Sequence, residues 1–212
     1  MPLTYSSAQS GFALRAKVGS LAEFGELGGL SALVDGAFAF VFDVQFEQSG
    51  ECVFFGADGT GTRDLRLKRN DGGVRDDSIT FLSTDASGDE RRVKWLSALP
   101  TGDWGRMIFN SSGAGAGTLK LFVDGVEKTI SSQTNDAGFS ADEVFELYFG
   151  EIESGKIQAF KFSTIYVYDR ELTASEIAEI TKGVFPTDYV KAYPFHRPNI
   201  GVDRSLLTPV VD

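Results

Sequence analysis

The sequence predicts an all-β fold, a two-sheet antiparallel β-sandwich of the jelly-roll kind, on three observations. Residues 37–46 place Phe38, Phe40, Phe42, Val44 and Phe46 at every second position, the period of a strand buried on one face. Residues 118–130 read as two strands around Asp124-Gly125, a pair that accepts positive φ at both centres of a type I′ hairpin turn. The chain also holds 18 Phe and 24 Gly in 212 residues. The phenylalanines are large enough to bridge two sheets lying about 10 Å apart, and the glycines concentrate where turns are needed.

Taken in order, residues 1–11 are polar and read as an arm or lead-in, and 12–18 alternate weakly as a first strand. Residues 19–36 carry five glycines and read as loop with one short strand near 30–34. In the phenylalanine strand the opposite face, Ala37, Ala39, Val41, Asp43 and Gln45, begins small and ends polar. Such a face is covered by a loop or a neighbouring subunit, or else serves as a ligand groove. Residues 52–55 make a short strand, and Leu65 and Leu67 face inward between Arg66, Lys68 and Arg69. Residues 79–83 and 91–96 form a strand pair around a turn at 85–89; Arg91, Arg92 and Lys94, interleaved with Val93 and Trp95, read as one solvated face.

A core strand covers 104–110. The glycine-rich run 111–117 is a hairpin tip, because no Lys-Ser/Thr follows and it joins strand to strand. After the Asp124-Gly125 hairpin, 131–142 read as a polar loop, Phe145, Leu147 and Phe149 return to period two, and 155–170 are strand-rich. One short helix is expected near residues 174–182: Thr173 is placed to N-cap it, Glu176 to complete a capping box, Leu172 and Ile177 to staple its entry, and Gly183 to end it. Beyond it lie four of the six prolines, with Tyr189, Tyr193 and Phe195 between them. Hence the expected division is a sandwich over 1–183, with 1–11 as an arm, and an extended tail over 184–212. The tail packs on the domain or on a neighbouring subunit, and Tyr189, Tyr193, Phe195 and Arg197 are its candidate partner contacts.

Composition removes several function classes. A net charge of −10 opposes nucleic-acid binding, which depends on Lys and Arg displacing counterions. Cys52 is the only cysteine, so no intrachain disulfide forms, and it reads as a small buried hydrophobe. The first ten residues lack a basic segment followed by an apolar core, and no apolar run approaches the roughly 20 residues of a membrane span. The expectation is a soluble protein without a secretory signal. His196, in the tail, is the only histidine, so neither a His-based triad nor a zinc site is expected.

The order Trp104, strand, Val-Asp-Gly hairpin, strand ending in Gly150, Gly155-Lys-Ile strand, Tyr168-Asp-Arg-Glu-Leu-Thr173 and then Glu-Ile on a helix resembles the laminin G-like, concanavalin A-like lectin and glucanase superfamily. The resemblance is detailed over 104–183 and only in outline over 12–100. Tyr193-Pro-Phe195 and Asp203-Arg-Ser205 look like phrases that often open laminin G-like domains, though here they come last. The resemblance fixes a fold more sharply than a function.

Laminarinase-like relatives use a Glu-x-Asp-x-x-Glu strand. Glu151 and Glu153 are the nearest match here, but the Asp and third acid are lacking, and a turn between Gly150 and Gly155 explains them better; glycoside hydrolysis ranks third. Relatives that hold Ca²⁺ in loops make Asp58, Asp64, Asp71, Asp76 and Asp77 the candidate ligands by residue type, against their ordinary role as turn formers. No other cofactor is implied. The leading expectation is a non-enzymatic structural module on the surface of a phage virion, as capsid decoration or a tail-associated component. It would be assembled in the host cytoplasm and act through contacts with other virion subunits or its own copies. The alternative is a lectin-like adhesion module binding a cell-surface glycan, with Trp95 and Tyr148 as exposed aromatics that stack on sugar.

Overall fold

The computed structural model describes residues 4–8, 11–16, 21–27, 36–47, 49–58, 64–73, 75–85, 87–113, 116–136, 145–150 and 160–194. Two antiparallel sheets face each other. The first contains β1 (Thr4–Ala8), β2 (Gly11–Ala16), β4 (Phe38–Phe46), β9 (Trp104–Ser111), β10 (Leu119–Val123), β11 (Val126–Glu127), β14 (Phe160–Tyr168) and β15 (Lys191–Pro194). Its order is β1-β2-β14-β4-β9-β10-β11, with β15 also on β14. The second contains β3 (Leu21–Leu27), β5 (Cys52–Asp58), β6 (Asp64–Arg69), β7 (Ile79–Thr84), β8 (Glu90–Trp95), β12 (Ile130–Asn135) and β13 (Phe145–Gly150), in the order β12-β8-β7-β6-β5-β13-β3.

The core is made as the period-two phenylalanines require. Phe38, Phe40, Phe42, Val44 and Phe46 point from β4 toward the second sheet, which answers with Leu65, Leu67, Ile79, Phe81, Val93 and Trp95. Phe38 stacks on Phe81 at 5.9 Å and Trp95 meets Phe109 edge-on at 6.0 Å, so aromatic pairs span the gap between sheets. Each buried phenylalanine stabilises the fold by roughly 1.5–3 kcal/mol.

The other face of β4 is not a ligand groove. Ala39 and Val41, with Ile108, Tyr166 and Tyr168, lie under Leu172, Ile177 and Ile180 of helix α1 (Ala174–Thr181) and its lead-in. Small residues on β4 let the helix approach closely. The helix is built as the sequence predicts: Thr173 Oγ1 accepts from the Glu176 amide at 3.2 Å and Glu176 Oε2 accepts from the Thr173 amide at 2.8 Å. Past Lys182, Gly183 takes φ +92°, donates to Ile180 O at 2.8 Å, and lets Val184 N reach Glu179 O at 3.0 Å, a Schellman ending. The predicted type I′ hairpin also forms, with Asp124 at φ +51° and Gly125 at φ +79°.

Several sequence expectations need correction. Residues 4–8, expected in an arm, pair with β2 as strand β1, and 21–27, expected as loop, form β3; residues 30–34 lie outside the described set. Residues 131–135, expected as the start of a polar loop, belong to the edge strand β12 (Ile130–Asn135) on β8. Only Ile130 of β12 packs on the core and Ser131–Asn135 are exposed, so no hydrophobic period announces it. Within the tail, 191–194 form β15 and continue the edge of β14 beyond the point where β2 leaves it.

The last correction concerns charge. Arg91 is fully buried, not solvated, because it shares parity with Val93 and Trp95 and so faces the core; Arg69, in step with Leu65 and Leu67, does the same. Arg69 lies over the Phe46 ring at 4.4 Å and Arg91 over Phe38 at 5.8 Å, one cation at each end of the β4 phenylalanine row.

Candidate functional site

If Arg69 and Arg91 turn inward, their neighbours turn outward, and the outer face of the second sheet follows from the register alone. Lys68 pairs with Thr80 and Thr80 with Lys94; Arg66 pairs with Leu82 and Leu82 with Arg92. The first row continues to Ser132 on β12 and the second to Thr134. Two cross-strand rows therefore carry four cations, three hydroxyls and one apolar side chain, at neighbouring-strand separations of about 4.8 Å. In this chain of net charge −10, the next row on the same face, Glu90–Thr84–Asp64, is acidic.

Two further carboxylates reach this face from the turn joining β6 to β7. Asn70 (φ +51°), Gly72, Gly73 and Asp77 (φ +52°) give that turn its left-handed steps. Asn70 then holds it at both ends: its Nδ2 donates to Ser49 O at 2.9 Å and its Oδ1 accepts from Ser78 N at 3.2 Å. So fixed, the turn places Asp71 Oδ1 3.5 Å from Lys68 Nζ and Asp71 Oδ2 against Arg92 Nη2, while Asp76 Oδ2 lies 3.2 Å from Lys94 Nζ. Burial pushes the Asp76 carboxyl up, but hydrogen bonds from Ser78 and Lys94 outweigh it and leave the group below its ordinary range. Between the cations Thr80 is fully buried, and its Oγ1 has no hydrogen-bond partner among the described residues, a state that costs about 1–3 kcal/mol when nothing fills it.

The family comparison matches residues 32–178 to a domain model described as the concanavalin A-like lectin/glucanase superfamily. The chain belongs to that superfamily. Among solved structures it is similar to the binding domain of botulinum neurotoxin serotype G, at TM-score 0.60 and 9% identity over 85% of this chain and 44% of that one. It is also similar to the receptor-binding domain of a botulinum neurotoxin C/D mosaic serotype (TM-score 0.57, 12% identity, 85% and 45%) and to the serotype D binding domain (0.54, 11%, 82% and 41%). The chain thus spans less than half the length of these solved chains. No curated protein matches it. At such identities the likeness is one of fold, which is that of this superfamily's sandwich.

The residues singled out from sequence fall into several places. Trp95, expected as an exposed sugar-stacking ring, is fully buried against Phe109; the parity that exposes Lys94 puts Trp95 inside. Tyr148 lies in β13, its backbone paired with Gly56 and Glu23. Tyr189 is 42% exposed and its ring lies 5.3 Å from Tyr166. Tyr193 pairs through its backbone with Ile165. Phe195, Arg197 and His196 lie outside the described residues, as do Glu151 and Glu153.

Among the calcium candidates, Asp71, Asp76 and Asp77 each face a basic side chain, Asp77 meeting Arg69, and Asp58 and Asp64 are cross-strand backbone partners. No group of three or more His, Cys, Asp or Glu suited to a metal occurs among the described residues. No helix among them is long and apolar enough to cross a membrane. Sequence reasoning missed Arg66, Lys68, Thr80, Leu82, Arg92 and Lys94 as one face of the sheet, in which Lys68, Thr80 and Leu82 are buried. The signal was available in the shared parity of Arg66 with Lys68 and of Arg92 with Lys94.

Proposed function

We propose that this chain is a non-catalytic, lectin-like recognition module that binds an acidic glycan on the outer face of its second sheet. The observation that carries this reading is the pair of rows Ser132–Lys94–Thr80–Lys68 and Thr134–Arg92–Leu82–Arg66. Cations interleaved with hydroxyls suit a ligand that itself alternates carboxylates with hydroxyls, and the strand separation of about 4.8 Å is close to the length of a sugar ring. Burial of Trp95 removes one of the two rings expected from sequence to stack on sugar, Tyr148 being the other, and gives charge and hydrogen bonding the larger part in recognition. The test is binding of the full chain to uronate oligosaccharides and to neutral glucans of equal length, without added calcium. Uronates are expected to bind with a steep salt dependence, and the Arg92→Gln/Lys94→Gln variant to lose most of that affinity. Equal binding of neutral and acidic glycans, or none to either, overturns the reading.

A second reading, a structural module on a phage virion surface, draws on a different region. Val126 is 63%, Val184 58%, Val190 45% and Tyr189 42% exposed, on the hairpin tip and the segment after α1. Apolar side chains in the open are what a subunit contact covers. Association of the chain with purified capsid or tail particles, lost in a Val126→Asp/Val184→Asp variant, supports this reading; a monomer that ignores both particles removes it.

A further inference from the structure

We infer that Asp71 occupies the seat of the ligand's carboxylate and competes with it, an inference that rests on the glycan-binding reading above. Asp71 touches Lys68 on β6 and Arg92 on β8, strands that flank β7 on either side. A carboxylate in contact with both therefore hangs over β7, where Thr80 and Leu82 lie between the cations. It spans the diagonal between the two rows, the position from which a ligand carboxylate would gain most from both. Thr80 supplies an independent mark of a ligand at the same place: its fully buried Oγ1 has no partner among the described residues, and Asp71 is not bonded to it.

Asp71 comes from a turn tethered through Asn70 to Ser49 and Ser78, so the seat is filled by a side chain, itself 9% exposed, on a fixed backbone. A ligand with one carboxylate must displace Asp71 and recovers only what Asp71 gave up. A ligand that also offers a hydroxyl to Thr80 and a second anion toward Lys94 gains contacts that Asp71 does not make. Asp71 thus sets a threshold that favours oligomeric, repeatedly charged glycans over single acidic sugars.

The experiment titrates the full chain with galacturonate monomer and with a galacturonate hexamer, comparing wild type with Asp71→Asn, Arg92→Gln and Asp103→Asn. Asp103 is exposed in the turn before β9, so its variant makes the same change in net charge away from the face. Asp71→Asn is expected to tighten hexamer binding about fivefold and monomer binding more, as removal of a competing ion pair allows, with Asp103→Asn unchanged and Arg92→Gln weakening binding. Should Asp71→Asn bind no better than wild type while Arg92→Gln still loses binding, the competition is wrong and the glycan-binding reading survives. Failure of every variant to bind overturns both. Preference for poly-L-glutamate over the galacturonate hexamer overturns the glycan and makes an acidic protein surface the partner.

Discussion

Arg106 grips Asp43 with two parallel hydrogen bonds, Nε to Oδ1 at 2.5 Å and Nη2 to Oδ2 at 2.7 Å, and turns its third nitrogen, Nη1, to the Ile180 carbonyl. One guanidinium therefore joins β4, β9 and the last turn of α1, where the helix dipole favours a cation. It also lies 4.8 Å from the Phe185 ring, which stacks on Tyr166. Arg106→Lys keeps the charge but not the fork. We predict a loss of about 2 kcal/mol for Arg106→Lys and more for Arg106→Ala, which leaves Asp43 half-buried and unpaired. Urea unfolding midpoints at neutral pH measure both.

At the other end of the helix, Glu176 closes the capping box and receives both Nη atoms of Arg170, whose Nε and Nη2 also hold Asp188. The Arg170 guanidinium, with help from Thr173, holds the Glu176 carboxyl down at about 2, below its ordinary 4.5, and draws Asp188 down as well. A carboxyl lowered on folding stabilises the fold above its unfolded value and loses that contribution as pH falls through its folded value. The advantage of wild type over Glu176→Gln is expected to be about 1 kcal/mol above pH 5, allowing for solvent screening, and to vanish as pH falls from 4.5 toward 2. Denaturation curves across that window check it.

Gly125 is constrained twice, by φ +79° and by Thr181, whose Oγ1 lies 2.7 Å from where a Cβ would stand. Gly125→Ala is expected to cost about 2 kcal/mol. In Gly125→Ala/Thr181→Ala only the steric share should return, so a double-mutant cycle separates backbone strain from the clash of hairpin and helix.

Arg91 closes one end of the core, its Nη2 donating to Ser111 Oγ and Gly113 O at 2.9 Å and to Thr118 Oγ1 at 3.2 Å, above the rings of Phe38 and Phe81. Truncation to Ala leaves a cavity and loses these bonds, a cost of about 3–4 kcal/mol. Arg91→Met fills the space and should cost clearly less. Calorimetric Tm values order the pair.

Cys52 is 1% exposed and burial pushes its thiol up to about 12. It is expected to resist thiol reagents at pH 8 in the folded protein and to react fully once denatured; rapid labelling of folded protein contradicts the structure.

What was legible in the sequence was what repeats or punctuates. The Phe38–Phe46 alternation, the Asp124-Gly125 turn and the Thr173–Gly183 helix were readable because each is specified by a few local residues. Strands β1, β3 and β12 were not, since exposed or edge strands lack a hydrophobic period and owe their existence to a partner strand. The outer face of the second sheet was hidden for another reason. Arg91, Arg92 and Lys94 were grouped by composition when parity divides them, and with that division Trp95 goes inside and Arg92 outside.

The same division limits how this molecule can change. In β6, β7 and β8 one residue in two builds the interior and the next faces away from it, so both jobs share a single reading frame. An inserted or deleted residue within those strands would exchange them, driving Lys94 among the phenylalanines and Trp95 into water. Descendants of this chain can therefore alter that outer face only by swapping side chains one for one along the ladder, or by lengthening turns such as 70–78 that lie outside the frame.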